Sequence, residues 1–314
     1  MLMTHGDSFR RRDGLLKRLV VEGGLTEISI RVDTTQRGRV GHRRDAKTES
    51  ELNPLRAEFG AMLRQVRAET RIAVRSATTM TITPENIGGV ADVVAWLQEN
   101  PDDFFMTSFQ PIAQVGRTED GLGDSVDVEH LWREIARGLY GSDQPSDVAK
   151  LLGGQKWLGH PGCSRFVHGV FSARAADSDG SGALHTFHPV RQQGDATDER
   201  IVDGFLARFG GLSYAWHWLK RFNAASPWRA LRDLQAGRLK AHGFLFVSHH
   251  FMSRQQLETP LGQERVKHCV FQVPINSALT SMCEVNAPGI REAYYADITT
   301  HTTSAPSDEH SLVS

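Results

Sequence analysis

The sequence predicts an α/β protein: a run of βα units that begins part-way through the pattern, followed by an α+β region of shorter, mixed elements. Two observations carry this. Residues 70–118, TRIAVRSATTMTITPENIGGVADVVAWLQENPDDFFMTSFQPIAQVGRT, read as strand, helix and strand. A unit of this length normally belongs to a parallel sheet with its ligand site at the strands' carboxyl ends. Similar segments precede it, so the first half reads β, α, β, α, β, α, β and closes with a helix. A barrel or half-barrel built from four such units would lack its opening strands.

Each element has its own signal. MLMTHGDSF reads as the end of a strand and a turn, and Phe9, Leu15, Leu16, Leu19 and Val20 then mark a short helix that Gly23-Gly24 stops. In residues 25–33, LTEISIRVD, the alternation of Ile28, Ile30 and Val32 with polar residues predicts a strand. A basic loop follows, with Arg37, Arg39, Arg43 and Arg44 around Gly38 and Gly41. Such a loop can hold an anionic ligand, but arginine-rich loops are more often simply solvated. Residues 52–69 form a helix with Leu55, Phe59, Met62, Leu63 and Val66 on one face. Thr83, Pro84 and Glu85 predict a capped helix start. Ile87, Val90, Val94 and Leu97 continue that helix until Asn100-Pro101 closes it. A further helix spans about Val128 to Leu139.

A change of texture at 141–154, GSDQPSDVAKLLGG, reads as a linker between a 1–140 unit and a 155–299 extension. In the extension, residues 166–171 and 183–187 predict a hairpin around AADSDGSG. Residues 200–209 and 228–235 read as helices, and 243–247, 269–273 and 278–282 as strands. The polar tail at 300–314 reads as disordered.

Composition bounds the function classes. A chain of 314 residues, 39% hydrophobic and 23% charged, has the composition of a globular protein of one large domain or two. A formal net charge of −1 gives no whole-chain attraction to nucleic acid or acidic lipid. No apolar run reaches membrane-spanning length. Three cysteines, an odd number, argue against a disulfide scaffold and for a reducing, cytoplasmic setting.

The chemistry-bearing residues gather in the second half: His160 and Cys163 in GHPGC, His249 and His250 in SHHFM, Cys269 in KHCVF and Cys283 in SMCEVN. Three thiols with a nearby imidazole are the ligand types of an iron-sulfur or zinc site. Their spacing contains no Cys-x2-Cys pair, and a free cysteine in a strand is ordinarily a small buried hydrophobe. Trp216, Trp218 and Trp228 read as core, because no basic run is interleaved with them.

HPGCSRFVHGVF, FLFVSHHFM, ERVKHCVFQVPINSALTSMCEVN and GIREAYY resemble the C-terminal region of radical S-adenosylmethionine proteins, in the branch that includes tetraether lipid synthase. GGLTEISIRVDTTQRGR and SFQPIAQVGRT resemble later barrel strands of the same branch. The resemblance runs from about Met1 to Tyr295. It implies a partial (βα) barrel lacking its first strands, followed by an α+β C-terminal extension with an auxiliary iron-sulfur cluster. Cys163, Cys269 and Cys283 are then the implied cluster ligands, with His250 a weaker candidate for a ligand or its partner. Asp33, Thr81 and Gln110, at the ends of retained strands, would face the ribose or adenine of S-adenosylmethionine, or else cap turns.

The family's catalytic cluster is held by a Cys-x3-Cys-x2-Cys loop after the first barrel strand, and this sequence contains no such loop. The expectation is therefore an N-terminally truncated fragment of such an enzyme, inactive alone, or a binding or scaffold protein that has lost the chemistry. The intact enzyme would draw electrons from a donor protein and form a 5′-deoxyadenosyl radical to abstract hydrogen from a small-molecule or lipid-like substrate.

Overall fold

Parallel pairing of successive βα units sets the frame of the molecule. The computed structural model describes residues 1–36, 45–113, 126–142, 144–174, 184–190, 210–275, 278–286, 290, 293–294 and 296. The first half contains β1 (Leu2–Thr4), α1 (Asp7–Arg11), α2 (Leu15–Val21), β2 (Glu27–Arg31), α3 (Asn53–Thr70), β3 (Arg75–Ile82), α4 (Val90–Glu99), β4 (Met106–Pro111) and α5 (Val128–Tyr140). The second half contains α6 (Pro145–Gly153), β5 (Gln155–Leu158), β6 (Ser164–Arg174), β7 (Leu184–Pro189), α7 (Gly210–Phe222), α8 (Pro227–Gln235) and β8 (Leu239–His249). It ends with α9 (Arg254–Leu257), α10 (Pro260–Lys267), β9 (Gln272–Ile275), β10 (Ala278–Ser281) and α11 (Met282–Asn286).

The main sheet has the order β1-β2-β3-β4-β8-β6-β5, with β7 branching from β6. Strands β1 to β4 run parallel in sequence order, and β8 adds to β4 in the same direction. Strand β6 is antiparallel to β5, β7 and β8. The protein is thus a mixed α/β protein with a mostly parallel central sheet. As expected, β1 forms one edge and β2 pairs parallel with β3.

One face of the sheet carries the core. Ile28, Ile30 and Val32 meet Met80, Ile82, Phe109, Phe244 and Phe246 there, covered by Phe59 and Leu63 of α3, Val90 and Val94 of α4, and Leu131 and Ile135 of α5. Helix α5 starts where Asp127 caps the amides of Glu129 and His130. Its fully buried Trp132 donates Nε1–H to Ser248 Oγ of β8 at 3.2 Å. Helices α4 and α5 pack closely because Gly138 has no Cβ, which would lie 2.5 Å from the Ala91 carbonyl. Phe171, Phe187, Phe244 and Phe246 form an aromatic group with ring centroids 4.8 to 6.0 Å apart. The core is therefore continuous across both halves.

Three sequence readings change here. Where 141–154 reads as a linker, the structure has helix α6, with Leu151 fully buried in the main core. Val148, Leu151 and Leu152 have helical spacing that the surrounding turn-forming residues obscure. The helix expected to start at Pro84 opens instead as a turn and a short 3-10 segment, Ile87–Gly89, before α4. The Asn86 carboxamide accepts from Thr83 N at 2.8 Å, a local bond that competes with the helical start. Cys269 precedes β9 rather than lying within it, and Cys283 belongs to α11. The expected hairpin of β6 and β7 is present, while its turn, the helix expected at 200–209, the basic loop at 37–44 and the 300–314 tail lie outside the described residues. Among the described residues no helix is long and apolar enough to cross a membrane.

Candidate functional site

Strand carboxyl ends gather the first set of sequence-predicted residues. Thr81 of β3 lies directly opposite Gln110 of β4 in the ladder, and both are half-buried. Asp33, just beyond β2, accepts from Thr81 N at 3.1 Å, so all three belong to one neighbourhood. The Asp33 carboxylate is heavily engaged within the chain. It also accepts from Arg31 Nε at 2.8 Å, from Thr35 N at 3.0 Å and from Thr35 Oγ1 at 2.5 Å. These bonds shape the turn after β2, which is the capping role weighed for this residue.

Beside it lies a buried ion pair that the sequence reading missed. Arg56 of α3 donates to Glu49 Oε2 at 2.9 Å, to the carbonyls of Val32 and Glu49 at 2.9 and 2.7 Å, and to Asn53 Oδ1 at 2.8 Å. Glu49 Oε1 in turn accepts from Thr34 N and Oγ1, both at 2.8 Å, and from Asn86 Nδ2 at 3.0 Å. The only clue in the sequence is an arginine next to the apolar stripe of α3. Held by these bonds within the chain, the network is a fastening for three loops.

The second set lies at the carboxyl end of β8 and in the segments packed on it. The GHPGC loop leaves β5 at Gly159, and Cys163 N closes a turn on the His160 carbonyl at 2.9 Å. Its carbonyl accepts from His250 N at 2.8 Å, and Ser164 Oγ meets His249 Nδ1 at 2.9 Å. Helix α10 supplies Arg265, whose Nε–H points to Cys163 Sγ at 3.3 Å and whose Nη2 donates to the His250 carbonyl at 2.7 Å. Cys269 follows α10 directly and turns its sulfur to the Phe271 carbonyl at 3.2 Å. Cys283 is buried against Met252 and Leu257.

Electrostatics tie these groups together. Burial pushes the Cys283 thiol up, partly offset by a backbone hydrogen bond from Met252 and by Arg265, and raised further by Cys163 and Cys269. Cys163 and Cys269 are thus both near enough to Cys283 to act on its charge. His250 is held down to about 3 by burial first and by Arg165 and Arg265 next, so its imidazole is neutral. Its Nε2 is buried and has no hydrogen-bond partner among the described residues.

The donor types suit an iron-sulfur cluster, but their arrangement falls short of a ligand set. Among the described residues no group of three His, Cys, Asp or Glu side chains is placed to hold a metal ion. Arg265 bonds one of the sulfurs, and Cys269 is turned to a carbonyl. Sequence reasoning missed Arg265; its place one helical turn before Cys269 was the available signal.

A cleft of about 440 Å³ opens beside this locality. Pro111 and Ile112 after β4, Val128 of α5 and Phe251 after β8 give it an apolar wall, while His250, Gln255 and Arg265 give it a polar one. It lies at the carboxyl ends of the neighbouring parallel strands β4 and β8, where open α/β sheets place their ligands. In comparisons with known proteins, no family model matches the chain and no curated protein does.

Proposed function

We propose that this chain is a protein of the radical S-adenosylmethionine type, with its βα half forming part of a partial barrel and its extension carrying an auxiliary iron-sulfur site. The observation that supports this reading best is that Cys163 and Cys269, from two separate segments, both act on the charge of the Cys283 thiol. Consecutive parallel strands with helices on the core-bearing face are compatible with the barrel part. In this reading the three thiolates hold the cluster, and His250 is a ligand or supports one. A cluster there would supply electron transfer. Asp33 acts through Thr81 and the turn after β2 rather than by direct contact, leaving Thr81 and Gln110 as the side chains toward S-adenosylmethionine.

Substrate binding would fall to the cleft, and a small or lipid-like molecule together with an electron-donor protein would be the partners. A cytoplasmic setting accords with three free thiols among the described residues. A second reading, a binding or scaffold protein, is favoured by the lack of a Cys-x3-Cys-x2-Cys loop anywhere in the chain. Anaerobic purification with iron and acid-labile sulfide analysis and electron paramagnetic resonance tests the first reading. It expects iron and sulfide that fall together in the Cys163→Ala, Cys269→Ala and Cys283→Ala variants. Protein free of both after reconstitution rejects the auxiliary cluster. In either case the chain alone should yield no 5′-deoxyadenosine from S-adenosylmethionine.

A further inference from the structure

The Arg265 guanidinium meets no carboxylate among the described residues. Its two hydrogen-bond donors go to the Cys163 sulfur and the His250 carbonyl, neither of them a carboxylate. The nearest acidic neighbour in sequence, Glu264, turns instead to His160, 3.7 Å away. Yet Arg265 is half-buried and lines the cleft at the carboxyl ends of β4 and β8. A partly desolvated guanidinium without a counter-ion is costly unless an anion completes it.

The rest of the cleft limits what that anion is. Ile112 is nearly fully buried and, with Val128 and Phe251, forms a hydrocarbon wall facing the polar side. Gln255 adds an amide, whereas Ser253 and Thr259 are spent on capping the amides of Gln256 and Gly262. Among the described residues Arg265 is the one cation that lines the cleft, and a multiply charged ligand such as a nucleotide phosphate would need more. A neutral apolar ligand would leave the guanidinium unpaired.

We propose that this cleft is a binding site for a small aliphatic monocarboxylate, its carboxylate on Arg265 and its hydrocarbon body against Ile112, Val128 and Phe251. His250 serves the site twice. Its carbonyl fixes Arg265 through Nη2, and the residue itself is part of the cleft lining. The proposal takes the cleft as the substrate site of the reading above, but its binding needs no metal and is read in iron-free protein.

Titration calorimetry of the full chain with acetate, butyrate and hexanoate, beside hexylamine and hexanol, tests it. The expected result is saturable one-to-one binding of hexanoate that strengthens along the series by about fourfold per buried methylene. Hexylamine and hexanol should bind at least tenfold more weakly. Arg265→Gln should lose hexanoate about tenfold or more, with Arg265→Lys intermediate. Val128→Ser should flatten the chain-length gain and keep the preference for the acid over the amine. Should Arg265→Gln fail to fold by circular dichroism, the acid-to-amine ratio and the chain-length series on the unaltered chain decide alone. Absence of saturable hexanoate binding, equal binding of hexylamine, or folded Arg265→Gln with unchanged affinity overturns the proposal. The titration is repeated after chelation with iron measured in parallel. Binding that survives in iron-free protein separates the fate of this site from that of the cluster.

Discussion

The Nε of Arg265 lies 3.3 Å from the sulfur of Cys163, and with the approach of Glu264 to His160 at 3.7 Å this contact joins α10 to the loop that follows β5. Helix α10 is otherwise capped locally by Thr259, which accepts from Gly262 N at 3.0 Å. Arg265 is therefore a main strut holding the Cys269 segment against β8. Arg265→Ala should lower stability by about 1–3 kcal/mol, since a sulfur and a carbonyl lose their donor. It should also speed alkylation of half-buried Cys163 while leaving buried Cys283 protected. Mass spectrometry of iodoacetamide-treated, metal-free protein reads both rates.

Gly159 is the second joint of the same locality. Its φ of +72° lies in the left-handed region, and a Cβ there would sit 2.5 Å from the His268 carbonyl, just before Cys269. Gly159→Ala combines backbone strain with a backbone clash. It should destabilise the chain by about 1–3 kcal/mol, seen in urea unfolding. If the thiols hold iron, the same variant should retain less of it.

The Arg56–Glu49 pair fastens the turns beyond β2 and β3. Arg56 is fully buried and Glu49 almost so. Arg56→Met leaves Glu49 buried with a charge unbalanced, at a cost of about 3–5 kcal/mol. The double variant Arg56→Met, Glu49→Gln should be more stable than the single one. Chemical denaturation of both measures the difference, and equal midpoints would mean the pair acts through packing alone.

Acid should loosen the second half through two half-buried histidines. Burial, with Arg221 nearby, holds His188 down to about 4, and His250 is held at about 3, against an ordinary 6.5. Below 6.5 the unfolded chain takes up protons that the folded chain refuses, so stability is full above that value and declines as pH falls toward 4 and then 3. The thermal midpoint should drop over this window. His188→Asn, which keeps a polar group beside Ser172 Oγ, should show a shallower drop.

The parallel half was legible because its strands and helices announce themselves by spacing. Ile28, Ile30 and Val32 alternate, Leu55, Phe59 and Leu63 recur helically, and both patterns are local. Helix α6 was obscured by its short length and flanking glycines, and α7 by a start amid residues whose pattern reads as neither period. Arg265, which ties α10 to Cys163 and His250, was not anticipated. A guanidinium is placed by tertiary contacts to Cys163 and His250, which leave no periodic trace in the sequence. Likewise the sequence left Asp33 open between facing a ligand and capping a turn, and the donors that engage it, from Arg31, Thr35 and Thr81, are set by the fold.

The insertion of β8 beside β4 has a consequence for how the chain comes to be folded. Met106 pairs with Leu245, so the hydrogen-bonding edge of β4 waits for a partner synthesised long afterwards. Pairing over such a separation carries a large loop-closure cost and slows folding. Until β8 arrives, a nascent chain presents an unpaired β4 edge, and Phe109 lacks the covering aromatics of Phe244 and Phe246. That interval is when a neighbouring chain can add its own strand, which makes the late arrival of β8 the step most exposed to aggregation on the ribosome and in refolding.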